Sequence, residues 1–139
     1  MMAIFVVSLG ATAFMSVTPV TDRAQRLAKE DALATQLCNR FIEQLRLLKP
    51  KDINNATLTQ LNLVDPYSEP YAGTYSFSHI PLDEASKYSP AELLKNGNGS
   101  LQIVQLSDNA KELRVTMTWT SASGKTRTLK TGTILGGYR

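Results

Sequence analysis

The chain has 139 residues, of which 42% are hydrophobic and 19% are charged, and its formal net charge at pH 7 is +3. This length suits a single domain, and this composition argues against an intrinsically disordered chain. A net charge this small gives no electrostatic reason to expect nucleic acid as a partner. Because Cys38 is the only cysteine and His79 the only histidine, an intrachain disulfide and a multi-histidine metal site are both excluded.

The first 21 residues, Met1 to Thr21, contain no charged side chain. A helix of this length would extend about 30 Å, which is the thickness of the hydrocarbon core of a membrane. We therefore expect residues 1–21, called the apolar segment below, to form a membrane or assembly helix. The residues assigned to it are Ile4, Phe5, Val7, Leu9, Gly10, Ala11, Phe14, Val17 and Pro19.

An amphipathic helix is predicted over residues 22–49, because apolar side chains recur there every three or four residues. Thr21 or Asp22 suits its N-cap, and Pro50 is expected to end it after Lys49. If the apolar segment is also helical, the two helices join at Pro19 into one long, kinked rod. The apolar stripe comprises Leu27, Ala34, Leu37, Cys38, Phe41, Ile42, Leu45 and Leu48.

Residues 50–139 read as a loop region followed by an antiparallel sheet, which together form one globular domain with residues 22–49. Helical turns are predicted within 57–63 and 81–95, and the Asn-Gly repeat at 96–99 indicates a turn. Period-two alternation predicts four strands connected as a meander. They cover residues 71–79, 100–106, 113–120 and 126–135.

The third of these strands predicts how helix and sheet meet. Every second residue of this strand, starting at Leu113, is apolar, and residues two apart in a strand lie on the same face of the sheet. We expect this apolar face to cover the helix stripe. The predicted fold class is α+β, with a long kinked N-terminal helix packed on an antiparallel β-meander. The predicted core joins Leu37, Cys38, Phe41, Leu45 and Leu48 of the helix to Leu113, Val115, Met117 and Trp119 of the strand.

Sequence patterns for catalysis are weak. The stretch Gly124-Lys125-Thr126 matches only the end of a phosphate-binding loop, and its surroundings predict a hairpin turn instead. No nucleophile elbow of the Gly-x-Ser-x-Gly type is present in the sequence. We therefore expect no enzymatic activity, no catalytic residue, no cofactor and no metal.

The order of parts resembles the type IV pilin and pseudopilin superfamily: an apolar start over residues 2–10, a proline at Pro19, an amphipathic helix, and then an antiparallel sheet. The resemblance implies a non-enzymatic structural subunit of a type IV pilus or of a type II secretion pseudopilus. Such a subunit is held in the membrane by its apolar helix before assembly. The absence of a cysteine pair favours a minor pilin or minor pseudopilin.

The same resemblance implies partners and a location. Other pilin or pseudopilin subunits and inner-membrane lipid would contact the apolar segment, where Gly10 and Ala11 permit close helix approach. The location implied is the bacterial inner membrane, crossed once, with a periplasmic or extracellular globular domain. A prepilin peptidase is implied as a processing partner. The motif that it reads is expected upstream of Met1.

Two other interpretations stay open. The chain could be an exported soluble binding module whose signal peptide uses residues 4–9 as its apolar core and is cleaved after Ala13. Basic residues on the C-terminal side of the apolar segment conflict with its insertion as a pilin, because such residues usually face the cytoplasm.

DNA binding through an uptake pilus would use a basic helix face together with Arg114, Lys125, Arg127 and Lys130.

Overall fold

The computed structural model describes residues 2–66, 69, 71–80 and 89–136, with side chains described from Val20 onward. It is an α+β structure in which an N-terminal helix packs on a four-stranded antiparallel sheet. The predicted coarse fold class is therefore confirmed.

Helix α1 spans Met2–Arg46 as one element of 45 residues, about 68 Å long at 1.5 Å per residue. It continues through Pro19, so the two predicted helices are joined, and neither Thr21 nor Asp22 caps a helix. A bend at Pro19 stays a prediction.

The end of α1 corrects the predicted boundary at Lys49. The helix ends at Arg46, and the amides of Leu47 and Leu48 bond to carbonyls three residues back, which tightens its last turn. Lys49 is extended, with φ −74° and ψ 147°, because a residue before proline avoids the helical region. Pro50 then begins a short 3₁₀ turn, Pro50–Asp52.

A short helix, α2, spans Asn55–Gln60 in the connecting region. The side chain of Asn54 caps it by accepting a hydrogen bond from the amide of Thr57 at 2.9 Å. The predicted helical turn is therefore present, shifted towards the N-terminus. Another short helix, α3, spans Pro90–Leu93, within the range 81–95 where a helix is predicted. Residues 81–88 of that range lie outside the described residues.

The sheet has the order β1-β2-β3-β4, and all its neighbouring strands are antiparallel. The three long strands predicted from the alternation are present, each slightly longer than expected. The four strands are β1 Thr74–Ser76, β2 Asn98–Ser107, β3 Ala110–Thr120 and β4 Thr126–Gly136.

The first strand is much shorter than the predicted range 71–79, and Asp65 supplies the physical reason. Its carboxylate accepts hydrogen bonds from the amides of Ser78 and His79 at 2.9 and 3.2 Å, and from the hydroxyl of Ser76 at 2.7 Å. These bonds hold the chain after Ser76 in a loop. Upstream, Gly73 has a φ of +73° and belongs to a turn instead of a strand.

The turn predicted at 96–99 also lies elsewhere. The amide of Gly97 bonds to the carbonyl of Leu94 at 2.9 Å, and Asn96 has a φ of +52°, so the turn precedes Asn98. Gly99 lies inside β2 and is buried.

The hydrophobic core lies between α1 and one face of the sheet. On the helix, Leu37, Cys38, Phe41 and Leu45 are at most 4% exposed, and Leu48 is partly buried. Residues of α2, of the loops and of the strands that the sequence pattern did not assign to the core also belong to it. The main ones are Ile53, Leu58, Leu63, Val64, Tyr75, Phe77, Leu94 and Leu101.

Candidate assembly helix and its junction with the sheet

Helix α1 changes environment along its length. Its first buried side chain in the described range is Ala34, whereas Val20 is 68% exposed and most residues up to Ala32 are also exposed. Among the described side chains of α1, those that are buried in the globular core therefore lie in its C-terminal part, from Ala34 onward.

Polar contacts mark both ends of the packed part of α1. Near its beginning, the carboxylate of Glu30 accepts hydrogen bonds from the amide of Ala122, at 3.0 and 3.2 Å, and Asp31 lies 3.1 Å from the guanidinium of Arg127. Near its end, Arg46 donates to the hydroxyl of Thr133 from Nε and Nη2, at 3.3 and 3.1 Å.

These contacts give the direction of α1 over the sheet. From Asp31 to Arg46 the helix rises roughly 22 Å, and from Arg127 to Thr133 strand β4 rises roughly 20 Å. The earlier helix residue contacts the earlier strand residue, and the two lengths agree. Helix α1 therefore runs along β4 in the same direction. The part of α1 before Glu30 therefore extends past the β3–β4 hairpin, and its 28 residues from Met2 to Lys29 account for about 42 Å of helix.

The apolar segment lies on this extension. The structure gives its backbone from Met2 as helical, but its side chains before Val20 lie outside the described residues. Among residues with described side chains, no helix is long and apolar enough to cross a membrane. The sequence assignments that fall outside the described side chains are Ile4, Phe5, Val7, Leu9, Gly10, Ala11, Phe14, Val17 and Pro19.

The predicted helix and strand residues do come together in one core cluster. Leu113, Val115, Met117 and Trp119 are each at most 3% exposed, on the face of β3 that meets the helix. Burial raises the pKa of the Cys38 thiol from 9.0 to about 11, so at neutral pH this cysteine is an inert core side chain.

Two side chains with potential for acid–base chemistry lie near carboxylates. His79 is 80% exposed, and its Nδ1 lies 3.7 Å from the carboxylate of Asp65, which already accepts bonds from the neighbouring loop. Burial, and then the nearby carboxylate of Glu69, raises the pKa of Tyr75. Within the described part of the chain, no three His, Cys, Asp or Glu residues form a group that could hold a metal ion.

Two of the four basic sheet residues considered for DNA binding are already paired with carboxylates. Arg114 donates two hydrogen bonds to Glu112, at 2.8 and 2.9 Å, which lowers the pKa of Glu112 and raises that of Arg114. Arg127 is paired with Asp31. Since phosphate binding depends on available cationic groups, these pairs weaken the DNA-binding interpretation.

The sequence analysis missed the junction residues Glu30, Asp31, Ala122 and Arg127 as a set. No local pattern in the sequence could have joined them, because the contacts of Glu30 and Asp31 lie more than ninety residues further along the chain. Comparison with protein-family models, curated protein sequences and solved structures gave no match.

Proposed function

We propose that this protein is a non-enzymatic structural subunit of a filament of the type IV pilus or type II secretion pseudopilus kind, stored in a membrane before assembly. One observation carries the proposal: Met2–Arg46 is a single helix, and among its described side chains, from Val20 onward, the buried ones begin at Ala34. The rest of the helix extends beyond the globular domain and carries the apolar segment.

The chemistry of the apolar segment supports burial by something outside the subunit. Each large apolar side chain transferred from water contributes roughly 1.5–3 kcal/mol, so an extension rich in them favours lipid or other helices over solvent. Extensions that pack against the neighbouring subunit at a different position make heterologous contacts, which generate helical fibres. Lipid before assembly and neighbouring helices afterwards are the two environments of the proposed cycle.

The finer assignment is a minor pilin or minor pseudopilin of the bacterial inner membrane, with the sheet on the periplasmic or extracellular side. Its partners would be other pilin or pseudopilin subunits, membrane lipid and a prepilin peptidase. This assignment rests on the resemblance in sequence and on the order of helix and sheet.

Cell fractionation tests the membrane-stored state. The gene is expressed in a bacterium from its own genomic region, and the mature chain is characterised by intact mass. We expect it to remain in the membrane pellet after carbonate washing, to dissolve only in detergent, and to retain residues 4–21. A soluble chain beginning at Phe14 would instead establish the exported binding module, with a signal peptide cleaved after Ala13.

A matched pair of variants separates the apolar segment from the packed helix. Val7→Glu places a charge in the segment at a cost of a few kcal/mol in a membrane, so we expect loss of the membrane-bound fraction. Gln25→Glu makes a similar change at an exposed position of the same helix and should leave fractionation unchanged. Equal behaviour of the two variants would contradict the proposal.

Photo-crosslinking tests assembly itself. A photoreactive phenylalanine analogue at Phe14 should give a ladder of dimers, trimers and larger products in cells that assemble the filament. The same analogue at Phe77, which is fully buried in the globular core, should react only within one chain. Monomers alone from the Phe14 position would overturn the proposal that the apolar segments pack together.

A further inference from the structure

The two edges of the sheet differ in a way that bears on partner binding. Strand β1 forms one edge with only three residues, whereas β4 forms the other with eleven. Short edge strands are one means by which proteins prevent unwanted strand pairing, and β4 lacks this protection. In the described part of the chain, β4 pairs only with β3, in an unbroken register from Thr126 to Gly136.

A cleft of about 250 Å³ opens between α1 and the inner face of β4, the face turned towards the helix. The cleft contains one aromatic and one aliphatic side chain, and its rim carries an ion pair between helix and strand. Its lining residues are Asp31, Thr35, Trp119, Arg127, Thr128 and Leu129.

Trp119 adds an unused hydrogen-bond donor to this region. Its side chain is 3% exposed, and among the described residues its indole Nε1–H finds no acceptor. A buried donor without an acceptor costs about 1–3 kcal/mol. Because this nitrogen is itself buried, a bound chain would reach it only if the indole ring moved.

The side chains of β4 indicate which kind of strand fits its edge. Directly opposed residues share a face, so Lys130, opposite Thr116, lies on the outer face, and Leu129, opposite Met117, lies on the inner face. Strand β4 contains no acidic residue, and the cation on its outer face is Lys130, since Arg127 lies on the inner face and is paired with Asp31. A complementary strand therefore carries carboxylates on its outer face and small apolar side chains on its inner face, towards the cleft.

We infer that the edge of β4 is a docking site for an acidic, extended segment of a different protein, which adds to the sheet as a fifth strand. Backbone hydrogen bonds supply the affinity, and the cleft and Lys130 supply the selectivity. A second copy of this chain is a poor occupant, because pairing β4 with β4 would place the Lys130 cations of two copies on the same outer face. The inference does not depend on the filament proposal.

The test uses the full chain in detergent micelles and a ten-residue peptide that alternates glutamate with valine. Trp119 is the only tryptophan, so its emission reports events at the cleft. We expect saturable binding of this peptide, a change in Trp119 emission, and slower hydrogen exchange of the β4 amides. A peptide with lysine in place of glutamate should bind at least about tenfold more weakly.

Charge-reversal variants make the test specific to the strand edge. Lys130→Glu should weaken binding of the glutamate peptide about tenfold and strengthen binding of the lysine peptide. Lys125→Glu makes the same change in the exposed β3–β4 turn, before β4 begins, and should leave the preference unchanged.

Several outcomes would overturn the inference. They are equal binding of the two peptides, absence of binding, or binding without protection of the β4 amides. Protection of β4 that rises with protein concentration alone would assign the edge to a second copy. If the peptide binds but Phe14 gives no crosslinked ladder, only the filament proposal is overturned. If Phe14 gives the ladder but the peptide does not bind, only this inference is overturned.

Discussion

The rings of Phe41 and Phe77 stack with their centroids 4.1 Å apart and their planes inclined by 22°. Phe41 lies in the middle of the packed part of α1, and Phe77 directly follows β1. Both side chains are fully buried, so the pair joins the long helix to the shortest strand through the centre of the core. The position of β1, which has only three residues of its own to pair with β2, therefore depends on contact with the helix.

Truncation of this pair should be among the most destabilising changes in the globular domain. We expect Phe41→Ala to lower the free energy of unfolding by about 3–5 kcal/mol, because it removes a ring and leaves a cavity, and Phe41→Leu to cost less. Urea unfolding in detergent, followed by Trp119 emission, measures the difference. Leu47→Ala, at a position 85% exposed, should change stability by less than about 0.5 kcal/mol. Equal costs for Phe41→Ala and Leu47→Ala would contradict the prediction.

Gly99 is required by close approach of the same aromatic ring. A Cβ added there would lie 2.3 Å from Cε2 and 2.5 Å from Cζ of Phe77. Because Phe77 is held against Phe41, we expect Gly99→Ala to cost about 1–3 kcal/mol. Thermal unfolding followed by circular dichroism measures this cost. Gly136→Ala, another strand glycine with no atom within 4 Å of the added Cβ, is the control and should be close to neutral.

Local periodicity was sufficient to predict the helix stripe and the three long strands, because each pattern is set by residues near one another in the chain. It could not place Gly99, which looks like a turn glycine in an Asn-Gly repeat until its contact with Phe77 is known. The same limit explains the overlong first strand. The carboxylate that accepts hydrogen bonds from the chain around Ser76 and Ser78 belongs to Asp65, which lies outside the alternating segment.

For the candidate site too, one part could be predicted from local sequence and the other part could not. The missing charges over residues 1–21 identified the apolar segment directly, since its composition is a local property. The junction with the sheet could not be found so easily, because Glu30 and Asp31 look like ordinary solvated helix residues. Their partners, Ala122 and Arg127, lie more than ninety residues away, and only the tertiary structure brings them together.

The ion pair between Asp31 and Arg127 should contribute modestly to fixing α1 over β4. Both side chains are about 40% exposed, so a double-mutant cycle with Asp31→Asn and Arg127→Gln should give a coupling energy of about 0.2–1 kcal/mol. The coupling should shrink as salt is raised, because exposed charges are screened. Urea unfolding of the four proteins measures it. Asp22→Asn, on the exposed helix before the junction, should instead be additive with Arg127→Gln. A salt-independent coupling would exclude an exposed ion pair as its source.

Burial of Cys38 predicts slow reaction with thiol reagents. The side chain is 1% exposed and its pKa is about 11, so a neutral-pH solution contains little accessible thiolate. We expect labelling of the folded chain by iodoacetamide to be at least about a hundredfold slower than labelling in urea. Gln25→Cys, in a Cys38→Ala background, places a thiol at an exposed helix position and should react at the rate of the unfolded chain. Fast labelling of Cys38 in the folded chain would show that α1 separates from the sheet on the timescale of the reaction.

The same thiol predicts how stability depends on alkaline pH. Its pKa is 9.0 in the reference state and about 11 in the folded chain. Between these values the folded chain keeps a proton that the unfolded chain has lost, so the free energy of unfolding falls as pH rises. The contribution is fully present below pH 9 and is lost by about pH 11, a decrease on the order of 2 kcal/mol. Urea unfolding at several pH values, compared with Cys38→Ala, isolates this effect from the other groups that titrate there. Parallel pH profiles for the two chains would show that Cys38 does not keep its proton on folding.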